Sequence, residues 1–190
     1  MKKLAITTFL SLLSILTFAH KVRWDEDKSD WTTLMKVAYN NDTAKANMLL
    51  KSGISINKAS SRGWTALKVA TKKGNNLMVS YLLKHSANPN LSDETGFTPL
   101  MEACQHSYPY IVKQILEHGA NPNAKLFNGW TALMGAAGVE DGDLKLINLL
   151  INYKANVNAK RITDGFTVLK LAEYNGDKRK IAVLKQNGAK

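Results

Sequence analysis

Apolar residues return along this chain at helical spacing. Leu77-Met78 with Tyr81-Leu82-Leu83, and Ile111-Val112 with Ile115-Leu116, each gather on one helix face, the signature of a helix buried along one side. Ahead of these clusters stand shorter segments with a common opening. They read Trp31-Thr-Thr-Leu-Met-Lys-Val-Ala38, Trp64-Thr-Ala-Leu-Lys-Val-Ala-Thr71, Phe97-Thr-Pro-Leu-Met-Glu-Ala-Cys104, Trp130-Thr-Ala-Leu-Met-Gly-Ala-Ala137 and Phe166-Thr-Val-Leu-Lys-Leu-Ala-Glu173. Their threonines, Thr32, Thr65, Thr98, Thr131 and Thr167, are 33, 33, 33 and 36 residues apart.

The repeated positions carry physical roles. Each Thr is placed to N-cap a first helix, its hydroxyl accepting an otherwise unpaired backbone N–H. Leu and Ala at offsets two and five face inward, and Ala lets helices approach. A helix stop follows 21 residues after four of the five threonines, at Gly53, Ser86, Gly119 and Gly188, and shifts to Lys154 in the fourth repeat. Such a stop takes the left-handed conformation. Next comes an asparagine, at Asn57, Asn90, Asn123 and Asn158. Gly63, Gly96, Gly129 and Gly165, two residues before a Thr, suit tight hairpins; the first repeat has Asp30 there. Pro99 and Pro109 fall in first helical turns, where a missing N–H costs little. Pro89 and Pro122 are expected in extended linkers. One repeat cannot bury its own apolar face, so the stack is the folding unit.

With its period of 33 and its Thr-x-Leu openings, the chain resembles the ankyrin repeat family, whose signature is T-P-L-H-x-A. The resemblance covers Asp27 to Lys190. It implies an all-α solenoid of about five helix-turn-helix repeats with β-hairpin loops, at about 27–59, 60–92, 93–125, 126–161 and 162–190. There are departures. The signature His is replaced by Met35, Lys68, Met101, Met134 and Lys170, so its hydrogen bond is expected to be missing, and only Thr98-Pro99 keeps the Thr-Pro pair. Residues 20–26 are expected to form an N-terminal cap segment, with Trp24 over the first repeat. Asp177-Lys178-Arg179-Lys180 would give the last helix a water-facing outer side.

The N-terminus follows another pattern. Met1-Lys2-Lys3 is a short positive region, Leu4 to Phe18 is a 15-residue apolar run, and Ala19 is a small residue at a cleavage position. Residues 1–19 read as a bacterial-type signal peptide. The run is shorter than the roughly 20 residues that span a bilayer. No stable membrane insertion is expected after cleavage, and the absence of a following cysteine excludes a lipoprotein. The expected location is the periplasm, or outside the cell.

Composition narrows the chemistry. The net charge is +11, which alone permits nucleic-acid or membrane-surface binding. The lysines are spread over all repeats and no nucleic-acid motif appears, so no nucleic-acid partner is expected. One cysteine, Cys104, rules out an intramolecular disulfide and any multi-cysteine metal site. It occupies an inward Ala position, as a small buried hydrophobe. His106 lies two residues on, without the base, orienter or oxyanion device of a catalytic pair. His85 and His118, one residue before helix stops, favour the negative helix end. Glu140, Asp141 and Asp143 form an acidic tip without the spacing of a calcium loop. No catalytic residue, metal or cofactor is expected, and the reading is not an enzyme.

The candidate binding residues form two rows. Trp31, Trp64, Phe97, Trp130 and Phe166 precede the threonines. The resemblance implies that this position lies at the hairpin base on the concave side, with rings roughly 10 Å apart, the separation of packed helices. Such a stripe suits a binding hot spot; it equally suits a brace for the hairpins. The ends of the first helices add Tyr39, Lys72, Lys73, Gln105, His106 and Tyr174, the mixed rim of a groove. The expected partner of this monomer is another protein. Export narrows the role to an inhibitor or self-protection partner of an envelope enzyme or toxin. The alternatives are a secreted effector docking on a host protein and an accessory factor for maturation of a haem or metal enzyme.

Overall fold

The computed structural model describes residues 28–139 and 144–190. The expected signal peptide, the expected cap segment with Trp24, and Glu140, Asp141 and Asp143 lie outside them. The chain divides into two units, Met1–Trp31 and Thr32–Lys190. In the described part of the first, the Trp31 N–H donates to the Lys28 carbonyl, and the Lys28 ammonium stands 5.5 Å from the Trp31 ring.

The second unit is a stack of helix pairs. First helices are α1 (Thr33–Tyr39), α3 (Ala66–Lys72), α5 (Pro99–Gln105), α7 (Ala132–Gly138) and α9 (Val168–Tyr174). Second helices are α2 (Thr43–Lys51), α4 (Asn76–Lys84), α6 (Pro109–Glu117), α8 (Leu144–Asn152) and α10 (Lys178–Gln186). All five threonines cap the first helices: their hydroxyls accept the N–H of Met35, Lys68, Met101, Met134 and Lys170 at 3.2–3.3 Å. The inward Leu34, Leu67, Leu100 and Leu133, and Ala70, Ala103, Ala136 and Ala172, are buried. Neighbouring first helices pack more closely than neighbouring second helices, because alanine holds their backbones near one another.

The helix stops are left-handed wherever the repeat requires. Gly53, Gly119 and Gly188 have φ of +82° to +86°, and Ser86 and Lys154 take +66° at the same register. Pro99 and Pro109 open α5 and α6. Pro89 and Pro122 depart from expectation: each lies in a turn, not an extended linker. The reason is an asparagine on either side of each proline. Asn90 and Asn123 receive the N–H of Asn121 and Asn156 at 2.7 Å, and donate at 2.9 Å to the carbonyls of Gly119 and Lys154. Asn158 does the same with Gly188 and Lys190 at 2.9 Å. A side chain in each repeat thus satisfies the backbone of the next, while the turns close on Asn88 and Asn121, whose Oδ1 atoms accept the N–H of Asn90 and Asn123 across the prolines at 2.9 Å.

The hairpins are short. Each closes on a backbone bond at its base, Ser60 N–H to Trp64, Asp93 to Phe97, Leu126 to Trp130 and Arg161 to Phe166, at 2.8–3.2 Å, and on a second across its tip, from the glycine N–H back to Ser60, Asp93, Leu126 and Arg161, at 2.8–3.0 Å. Only two isolated bridges form, Lys125–Thr131 and Lys160–Thr167, and no extended strand occurs among the described residues. Gly129 shows why glycine is needed at the tip. Its φ is +84°, and a Cβ would lie 2.9 Å from the Lys160 carbonyl oxygen of the next hairpin.

The last helix corrects a second expectation. Lys178 and Arg179 are exposed, but Lys180 is fully buried. Its ammonium donates to the Val139 carbonyl and, at 3.5 Å, to that of Ala137. A cation therefore sits on the negative C-terminal end of α7.

Candidate functional site

Trp64, Phe97, Trp130 and Phe166 stand at hairpin bases, and the aromatic row is not uniformly accessible. Trp31 and Trp64 are buried, and Phe97, Trp130 and Phe166 are half-buried. Trp64 is covered by cations from α3, the helix that its own Thr65 caps. The Lys68 ammonium lies 4.9 Å from its ring centroid and that of Lys72 5.7 Å. Lys68 is also 4.9 Å from the Phe97 ring, so one ammonium is held between the aromatics of successive repeats. Such contacts gain strength when desolvated.

Lys68 is itself wholly buried. Its Nζ donates to Asp93 Oδ2 at 2.5 Å and to the Phe97 carbonyl at 2.6 Å. Asp93 Oδ1 accepts from the Thr95 N–H at 2.9 Å, the Thr95 hydroxyl at 2.6 Å and the Phe97 N–H at 3.0 Å. The carboxylate therefore shapes its own hairpin and fixes the lysine of the preceding repeat. Burial alone would raise the Asp93 pKa; the Lys68 ammonium and the donors of Thr95 and Phe97 outweigh it and hold it below the ordinary value. Burial lowers the Lys68 pKa, against Asp93 and Glu102, which hold it up.

Glu102 extends this network. Its Oε1 lies 3.1 Å from both Lys72 Nζ and His106 Nε2, and its buried Oε2 has no hydrogen-bond partner. Burial would raise its pKa, but the His106 hydrogen bond and the Lys72 and Lys68 charges bring it below the ordinary value. His106 stacks on Tyr108 at 5.7 Å. Its partner is thus Glu102, and Cys104 is fully buried, its thiol pushed far up by desolvation.

The end between repeats four and five is built differently. Arg161 stands 5.6 Å from the Trp130 ring and 5.3 Å from Phe166, and bonds Asp164 through Nε at 2.8 Å and through Nη2. The Arg161 hydrogen bond holds the Asp164 pKa below its usual value. Trp130 also lies over α7, where a Cβ at Gly135 would come 3.8 Å from its Nε1.

The first-helix ends line up in register. Tyr39, Lys72 and His106 are half-buried; Lys73, Gln105 and Tyr174 are exposed. Lys73 Nζ stands 4.5 Å from the Tyr39 ring, so these side chains from adjacent repeats meet. His85 and His118 cap their helices, Nδ1 lying 2.8 Å from the Tyr81 and Gln114 carbonyl oxygens. Among the described residues no three His, Cys, Asp or Glu side chains gather as metal ligands.

Sequence reasoning missed Lys68, Asp93, Glu102 and Arg161. A signal for Lys68 was present. It stands at the family's His position, and the hydrogen bond expected to be missing there is replaced by one to the Phe97 carbonyl. At the corresponding register the next repeat pair has Met101 and Leu126 in place of Lys68 and Asp93.

Residues 10–93 and 34–126 match the family model described as Ankyrin repeats (3 copies), and residues 128–162 match that described as Ankyrin repeat. A search of the curated proteins found no match.

Proposed function

Because the chain belongs to the ankyrin-repeat family, whose members are typically non-catalytic protein-binding modules, we propose that it is an exported binding protein working through its first-helix side. The observation that carries this reading is the row of first-helix ends. Tyr39, Lys73, Gln105, His106 and Tyr174 stand in register at the ends of the first helices, exposed or half-buried. Polar and aromatic groups of this kind form interface rims and anchors. Phe97, Trp130 and Phe166 add half-buried rings beside them. In this reading Trp64 serves as a brace, because its ring is occupied by Lys68 and Lys72.

The apolar run from Leu4 to Phe18 supports export to the periplasm or beyond. The role we attach is inhibition or protection of an envelope enzyme or toxin, whose surface the first-helix side would cover.

Photo-crosslinking in living cells tests this. Crosslinkers at Tyr39, Gln105 and Tyr174 should capture one common protein, whereas crosslinkers at Lys84 and Lys178 on second helices should not. Intact mass should place the mature start at or near His20, and fractionation should place the protein outside the cytoplasm. Capture only from the second-helix positions, or a protein retaining Met1 in the cytoplasm, would overturn the reading.

A further inference from the structure

We propose that the hairpin tips of the last repeats form a contact with anionic phospholipid bilayers. Phe127 and Ile162 are the two most exposed large apolar side chains of the described residues, 82% and 76% accessible. They lie on neighbouring tips, joined where the Ile162 N–H donates to the Asn128 carbonyl at 2.8 Å. The Ile162 side chain reaches Gly129, at whose tip a Cβ would meet Ile162 Cγ1 at 3.0 Å. The corresponding tip residues of the two preceding hairpins are Ser61 and Glu94. The apolar pair is thus confined to one end of the hairpin row.

The flanking charge is cationic. Lys125 and Lys160 are exposed two residues before Phe127 and Ile162; of the nearby carboxylates, Asp164 is bound by Arg161, which leaves Glu94 on the preceding tip against the two lysines. The whole chain carries +11. Apolar side chains at a projecting turn with lysines beside them match the two layers of a bilayer surface. The rings and branches enter the acyl boundary, and the ammonium groups stay among anionic headgroups. A stable protein interface buries about 1,200 Å² or more, and here the exposed apolar surface is two side chains. A bilayer asks for no fixed shape. This contact is peripheral: among the described residues no helix is long and apolar enough to cross a membrane. It uses the hairpin tips, and so leaves the first-helix row for a protein partner.

The test uses vesicles of phosphatidylcholine alone and vesicles with about one third phosphatidylglycerol. An environment-sensitive dye is placed at Thr163→Cys and, in a second protein, at Lys84→Cys; the buried Cys104 is shielded from labelling. All proteins carry the same N-terminus, so any lipid binding by residues 1–27 is common to them. The dye at 163 should shift to the blue with anionic vesicles only, the dye at 84 should not, and high salt should reverse the shift. Phe127→Ser with Ile162→Ser should reduce the affinity read at position 163 at least fivefold, and Leu77→Ser with Tyr110→Ser less than twofold. No shift at 163, equal shifts with both vesicles, or equal losses in the two double variants would overturn the proposal. So would a concentration-dependent dimer in ultracentrifugation that the tip variant abolishes, since the tips would then bind a second copy. The crosslinking result on the first-helix row stands or falls separately.

Discussion

The hairpin base between the second and third repeats and the base between the fourth and fifth start from the same aromatic row and diverge. In the first, Lys68 is sealed between Trp64 and Phe97 and paired with a buried Asp93. In the second, Arg161 lies against Trp130 and Phe166, but its partner Asp164 is reached by water. The first base is a closed ionic core and the second an ion pair open on one side. Burial decides what each is worth. A buried pair is balanced only while both charges remain, because desolvation has already been spent on each. An exposed carboxylate can be replaced by water at small cost.

Removing one partner should expose this difference most strongly. Asp93→Ala leaves the Lys68 ammonium buried without its counter-charge, and should cost about 3–5 kcal/mol. Asp164→Ala also takes the partner from a buried guanidinium, but water can enter where the carboxylate stood, so it should cost less, about 1–2 kcal/mol. Urea midpoints of the two variants check this, and equal losses would erase the distinction.

The next effect is on acid stability. Asp93 and Glu102 have folded pKa values below their ordinary 3.8 and 4.5. In the acid range the unfolded chain therefore binds more protons than the folded one. Their stabilisation is complete above the ordinary values and is lost as pH falls past them toward the folded ones. Melting temperature should drop below about pH 4.5, and the slope should be shallower in Asp93→Asn. A profile unchanged by that substitution would remove Asp93 from the acid limb.

The smallest effect concerns the helix stops. Ser86 and Lys154 hold φ of +66°, where Gly53, Gly119 and Gly188 stand in the other repeats. Ser86→Gly and Lys154→Gly relieve a strain of about 1–2 kcal/mol and return part of it as unfolded-chain entropy. Each should gain about 0.5–1 kcal/mol, read as a rise of a few degrees in melting temperature. A loss at both would mean that the side chains make contacts outweighing the strain.

The local rules of the repeat were legible in the sequence. Thr at a fixed register caps a helix whatever its neighbours, and a stop 21 residues later must be left-handed even where it is Ser86. Asn57, Asn90, Asn123 and Asn158 were visible as a row, but their bonds run to the next repeat, about 30 residues away, so their role needed the stack. The aromatic row looked uniform because its members share one position. What differs is the residue that each ring meets from elsewhere: Lys68 over Trp64, Arg161 over Trp130. Lys180 misled for the same reason. Its exposed neighbours Lys178 and Arg179 mark a polar face, while the carbonyl ends of α7 that draw it inward lie about 40 residues earlier.

The same register carries an ion pair in one repeat pair and Met101 with Leu126 in the next, so register, and not charge, should be what the fold requires. The double variant Lys68→Met with Asp93→Leu tests this directly. Each single change should lose several kcal/mol, since one strands a carboxylate and the other an ammonium. The double variant, measured by urea denaturation beside them, should lose clearly less than the sum of the singles, since no charge is left stranded, and keep only the loss of the bonds that Asp93 accepts from Thr95 and Phe97. A double variant as unstable as the sum of the singles would contradict this account, and would mean that the ionic base holds the hairpin in a way that an apolar pair cannot.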